Sequence, residues 1–345
     1  MQNKSIKSLK NLLLSLFIIG LVACDPNPKK ASRRESGELD FDSSNQKLTE
    51  AFHWAKDKAL SYAHDGSDPV GYWYEAALPD REAFCMRDVS HQAIGAEILG
   101  LGKHNYNMFL KFAQNISSEK DYCTYWEINR YNKPAPFDYE NDDDFWYNLP
   151  ANFDVVQSAY RLYQWTGNED YLKNRDLNAF YHLSLNEYVD HWDLENDKIL
   201  ERNRSMHLKG TPDNSRFGTN RGIPTYNEGG RGETRLGIDL TASMIAAYKA
   251  YAELLKLKGT LLESKTYTEK AQRAQEFLDS FWWDPEKREY RSIAYADGTY
   301  DYFWVGEQQA FLHYLFYFDA ISDDSKTMKI VEDYEANFDR LIVEL

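Results

Sequence analysis

Cysteine, basic blocks and internal repeats are what this chain lacks. It has three cysteines in 345 residues, with no Cys-x-x-Cys pair and no cluster of histidines. That excludes a zinc-centred core and a disulfide-dense scaffold. Acidic side chains outnumber basic ones, 55 to 40, for a formal charge of −15. Nucleic acids and anionic surfaces are bound through basic patches, and none stands out, so no nucleic-acid partner is expected. No fixed period marks a solenoid. The acidic run Asp142-Asp143-Asp144 lacks the alternating ligands of a calcium loop and reads as a solvated turn. No metal and no cofactor are expected. Aromatics, in contrast, are plentiful at 15%, with 25 Tyr and 9 Trp. Their flat apolar faces and polar handles suit a core and also suit sugar rings.

The first residues read as a targeting segment rather than fold. Lys4, Lys7 and Lys10 precede the apolar run of residues 11–23, which is short for a spanning helix and fits a secretory signal. Leu21-Val22-Ala23-Cys24 resembles a bacterial lipobox. The resemblance implies cleavage before Cys24 and acylation of its thiol, a membrane attachment through lipid alone; the alternatives are a plain signal peptide or an anchor. Residues 24–46 are polar and without periodicity, as expected of a tether. In an exported protein the remaining Cys85 and Cys123 could pair or stay as buried thiols.

From residue 47 the chain reads as helices of two kinds. Residues 47–65, 104–117, 169–191, 266–282 and 324–338 each carry one apolar stripe at helical spacing. Residues 89–101, 152–166, 241–257 and 307–321 are apolar over most of their circumference, which marks helices buried on most sides. The kinds alternate, as a double ring of helical hairpins requires. Turns from buried to striped helices are short. Loops from striped to buried helices (66–87, 118–151, 192–238 and 284–306) are long and aromatic, which points to function. Within the last, Asp297-Gly298 marks a β-hairpin. All four loops lead to one end of the ring, the expected active face.

Each loop closes on polar residues: Arg87, Asp88 and Gln92; Asn152 and Asp154; Glu228, Glu233, Arg235 and Asp239; Glu307. Asp239 is expected simply to cap its helix. Trp73 and Trp146 in the first two loops offer stacking faces. The alternation and these motifs resemble the six-hairpin glycosidases, which implies an all-α (α/α)6 toroid over roughly residues 47–338. Met86-Arg87-Asp88 resembles the Arg-Asp pair with which glucoamylase-like members hold a terminal sugar, implying exo action; a structural ion pair is the other reading. Gly237-Ile238-Asp239-Leu240-Thr241-Ala242 resembles the entry to the third inner helix of trehalases and processing α-glucosidases. In the latter the general acid lies just upstream, an Asp followed by Asn-Ser and an Arg. Asp213-Asn214-Ser215-Arg216 occupies that loop, without the usual preceding Glu-Ser-Gly, so Glu233 stands as a rival acid.

The resemblance therefore implies an inverting hydrolase of neutral oligosaccharides in the cell envelope. One carboxylic acid protonates the leaving oxygen and a second carboxylate activates water. The base of such enzymes precedes the last inner helix. This chain stops where the fifth inner helix should be approached, so the C-terminal helices and usual base are expected to be missing; Glu307 is a weak substitute. The unpaired flanks of a short ring would favour an oligomer or poor solubility. A sugar-binding lipoprotein on the same fold, and a polysaccharide lyase using residues such as His91, His207 or His313, are the competing classes.

Overall fold

The computed structural model describes residues 39–77, 81–196, 198–200, 221–226, 234–302 and 312–344. The chain divides into Met1–Asp40 and Phe41–Leu345, and everything below concerns the second unit. Its helices are α1 (Gln46–Leu60), α2 (Met86–Ile98), α3 (Gly102–Gln114), α4 (Pro150–Thr166), α5 (Asp170–Lys173), α6 (Arg175–Leu185), α7 (Glu187–His191), α8 (Ile238–Leu257), α9 (Leu261–Phe277), α10 (Leu312–Tyr317) and α11 (Asp324–Glu344). The helical class holds. No described helix is long and apolar enough to cross a membrane.

Of the four helices expected to be buried on most sides, α4 and α8 are; α2 buries only the stripe Met86, Val89, Ser90, Ala93 and Ala96 and leaves Ile98 42% exposed, and on α10 Phe316 is 42% exposed. In α8 almost every residue from Ile238 to Leu255 is buried, and α4 buries an unbroken run from Pro150 to Ala159. In α9 only Ser264, Tyr267, Ala271 and Ala274 are buried, a single stripe at three- and four-residue steps. The helices expected to be inner pack in chain order, α2 on α4, α4 on α8 and α8 on α10, while α3 packs on α2 and α6, and α9 packs on α8. Sequence sets the ends of α4: Pro150 sits at its start, where its missing N–H costs nothing, and Gly167 closes it in the left-handed region (φ 65°).

Several expectations need correction. The stripe of α1 is not buried: no residue of that helix is, and Leu48 (54% exposed) and Trp54 (70%) face outward. Only its last residue, Leu60, packs against the core. A hydrophobic stripe specifies a face, not a partner. The helix expected over 169–191 is three pieces. Asn174 breaks it by turning extended (ψ 131°) and accepting bonds from Asp176 and Leu177 N–H, and Asn186 breaks it again at φ −129°, ψ −85°. Asn competes for backbone bonds in this way. The six-hairpin ring itself is not traced by the described residues. The His91 ring on α2 lies 5.5 Å and 5.1 Å from those of Tyr314 and Tyr317 on α10, so the first and fourth buried helices touch directly.

Short strands pin the long loops, and three of them run straight into a buried helix. Ala83–Cys85 pairs antiparallel with Glu127–Asn129 and leads into α2. Tyr147–Asn148 pairs parallel with Arg221–Ile223 and leads into α4. Thr234–Gly237 pairs antiparallel with Glu289–Tyr295 and leads into α8. The expected hairpin is present: Glu289–Tyr295 also pairs with Tyr300–Tyr302 around Gly298, whose N–H bonds to Tyr295 C=O. Strand pairing thus aims the first turns of α2, α4 and α8.

Candidate active site

Four of the sequence-expected site residues lie outside the described residues: Asp213, Arg216, Glu233 and Glu307. So do Glu228 and the proposed lipidation residue Cys24. The others fall into two groups. Arg87 and Asp88, both half-buried, occupy the first turn of α2. The Arg87 guanidinium carbon stands 5.0 Å from the centre of the Tyr226 ring and 5.9 Å from that of Trp126. Gln92, one turn further along, is exposed.

The second group is structural. Trp73 is fully buried, stacked on His64 at 4.0 Å, with its indole N–H donating to Asp68 Oδ2 at 2.8 Å. Trp146 is 1% exposed and shares the core. Neither leaves a ring face for a sugar. Asn152 is fully buried. Its Nδ2 donates to Ser184 Oγ (3.1 Å) and to Tyr122 C=O (3.2 Å), and its Oδ1 accepts the Tyr147 hydroxyl; it ties α4 to α6. The Arg235 guanidinium donates to Leu200 C=O. Asp142, in the acidic run, accepts the Tyr139 hydroxyl at 2.7 Å.

A polar cluster forms where α2, α4 and α8 begin. Asp154, in the first turns of α4, has a fully buried side chain; its Oδ2 accepts from His91 Nε2 at 2.9 Å and from the Tyr226 hydroxyl. Its Oδ1 is buried without a partner. Because a carboxylate oxygen only accepts, Nε2 of His91 carries the proton of that bond. Burial, and next the charge of Asp154, push the Tyr226 phenol well above its usual value, so this hydroxyl is a donor and not a ready base.

Asp239 is the neighbouring carboxyl. It is not the cap of α8, a position held by Gly237. Instead its Oδ1 accepts from Thr225 Oγ1 at 2.9 Å and its Oδ2 from Tyr226 N–H at 2.6 Å. Burial raises it to about 7, against the pull of those two bonds, with Asp154 adding to the rise. Buried carboxyls with raised pKa are concentrated at functional sites. The backbone approaches tightly here: a methyl at Gly237 would overlap Asp239 Oδ1 and Thr225.

A second buried acid group braces the entry to α2. Arg81 Nη1 donates to Glu127 Oε2 at 2.7 Å and to Asp138 Oδ2 at 3.1 Å. Burial, and then the adjacent Asp138, raise Glu127 to about 7 despite the guanidinium. Glu127 is paired in register with Cys85, the residue before α2. Cys85 and Cys123 are separate buried thiols, and burial pushes that of Cys85 well up. Among the described residues no group of three or more His, Cys, Asp or Glu could hold a metal.

No family model and no curated protein matches the sequence. Among solved structures the chain is distantly similar to a GH78 family rhamnosidase of Bacillus sp. GL1, with 13% identity and a TM-score of 0.47. The match covers 87% of this chain and 31% of that one, so this chain spans about a third of the length of that enzyme. At that level the likeness fixes neither fold nor activity.

Sequence reasoning had Asp154 among the entrance residues and His91 only as one of several lone histidines. Their contact spans 63 positions. The one available signal was that both stand in the first turns of buried helices.

Proposed function

We propose that this chain is an exo-acting, inverting glycoside hydrolase that releases terminal neutral sugars from oligosaccharides, held at the cell envelope by a lipid on Cys24. The fold read with it is of the (α/α)6 kind, with α2/α3, α4/α6 and α8/α9 as complete hairpins. The observation that carries the reading is the convergence of Arg87, Asp88, His91, Asp154 and Asp239 where three buried helices begin. A cation and carboxylates side by side donate to and accept from sugar hydroxyls. The aromatic rings around them supply the apolar walls. In this reading Asp213 or Glu233 protonates the leaving oxygen.

The test is turnover of aryl α- and β-glycosides by the full chain, with Asp213→Asn and Glu233→Gln measured separately. Loss of about 100-fold or more in one variant identifies the acid. Activity kept in both removes that assignment. Oligosaccharide binding without turnover of any glycoside would favour a sugar-binding lipoprotein. Cleavage of a uronate polymer to an unsaturated product would favour a lyase, against which stands the commitment of the Tyr226 hydroxyl to Asp154.

A further inference from the structure

Inverting hydrolysis needs a group that takes a proton from water, and Glu307, the substitute base offered by the sequence, lies outside the described residues. The described residues hold one arrangement built for it. Asp154 fixes His91 with the proton on Nε2, which leaves the lone pair of a neutral imidazole on Nδ1. Nδ1 has no hydrogen-bond partner among the described residues. The His91 side chain is 24% exposed while Asp154 is shut off entirely, so the imidazole is the solvent-facing member of the dyad. Its ring is enclosed by Tyr226, Tyr314, Tyr317 and Phe318, at centroid distances of 6.2, 5.5, 5.1 and 6.5 Å. That packing opposes a flip that would exchange the two nitrogens. A buried carboxylate, an imidazole held in one tautomer and a second nitrogen without a partner among the described residues together have the make-up of a general base.

The charges around the ring come from each packed element. Arg87 and Asp88 lie on α2 itself and Arg161, on α4, stands 4.8 Å from the Tyr317 ring centre. Asp239 on α8 acts on Asp154, and the Tyr314 and Tyr317 phenols on α10 are both raised by burial. The Asp154 carboxylate bonds the imidazole directly, so the charge that forms on proton transfer has its counter-charge on the spot.

We propose that His91 Nδ1 is the proton acceptor of the hydrolysis described above, with Asp154 as its positioning residue. The proposal rests on the hydrolase reading. Water loses a proton to Nδ1 as its oxygen bonds to the anomeric carbon. The glycosidic C–O bond breaks, and the leaving oxygen takes the proton of the general acid. The imidazolium then returns its proton through solvent to that carboxylate, so each cycle consumes only the sugar bond and water.

The experiment uses the full chain on an aryl glycoside whose phenol leaves without protonation, so that the acid does not limit the rate. His91→Gln is expected to lower kcat by about 100- to 10,000-fold while KM stays within a few-fold. In His91→Ala, added imidazole is expected to restore part of the rate. Asp154→Asn, which keeps the shape, is expected to lower kcat while KM stays within a few-fold, because an amide no longer fixes the proton on Nε2. That variant serves alone if the His91 variants do not fold. A wild-type enzyme that turns over, with His91→Gln or Asp154→Asn retaining kcat, overturns the assignment of His91 and leaves the hydrolase standing. A wild-type chain that turns over no glycoside overturns the hydrolase and the role of His91 with it.

Discussion

Asp239→Asn isolates the cost of a buried acid. The folded chain raises this carboxyl from 3.8 to about 7. Between those values the folded state holds a proton that the unfolded state has released. The group's contribution to stability is therefore greatest below pH 3.8 and is lost as the pH rises through 7. A shift of about 3 units at about 1.4 kcal/mol per unit makes the loss about 4 kcal/mol. Complete burial means solvent screens little of it. Asparagine has the same shape: its carbonyl can accept from Tyr226 N–H and its amide can donate to Thr225 Oγ1, but it does not titrate. Chemical unfolding of both proteins from pH 4 to pH 8 is the assay. The stability of the variant minus that of the wild type is expected to rise by about 4 kcal/mol across the range. Titrations of groups that do not act on Asp239 are common to both and cancel. A difference constant to within about 1 kcal/mol would refute the account of Asp239 as a carboxyl kept neutral by burial.

Three further outcomes follow from the same geometry. Gly222→Ala is expected to cost about 3 kcal/mol, read as a fall in the thermal midpoint, because Gly222 has φ 77° and a methyl there would overlap the Trp192 ring. Arg81→Gln leaves Glu127 and Asp138 buried without their cation and is expected to cost about 3–5 kcal/mol at pH 8. The deficit should shrink toward pH 5, where Glu127, raised to about 7, takes up a proton. Cys85 and Cys123 are expected to react with a thiol reagent only after unfolding, since both are buried; labelling of the native protein at the rate of a free thiol would contradict their placement.

Much of the helical frame was legible. Two of the four near-continuous apolar stretches became the deeply buried α4 and α8, because burial on several sides leaves a direct mark on composition; the turn expected at Gly102 falls instead at Gly100, and Gly102 begins α3. The strands were not legible. Ala83–Cys85, Tyr147–Asn148 and Thr234–Gly237 are too short to show alternation, and their partners lie 44, 74 or 56 residues away in register. Asp239 was misread for a different reason: an acid in the first turn of a helix looks the same in sequence whether it caps that helix or accepts bonds from another segment. The His91–Asp154 contact depends on the packing of α2 against α4, which no local pattern encodes. The exposed stripe of α1 is the converse case, a clear local signal whose expected burial did not occur.

No residue of that helix is buried. Its stabilising contacts include the Asn45 cap on Lys47 N–H and the Gln46–Glu50 side-chain pair, and an isolated helix of this length is marginal in water. In native-state hydrogen exchange its amides should open at a free energy far below that of α4 and α8, as a separate cooperative unit. A protease should cut there before the core yields. The chain would then have two stabilities, one for α1 and one for the body that carries the Asp154–Asp239 polar cluster, and α1 could be lost without unfolding that body.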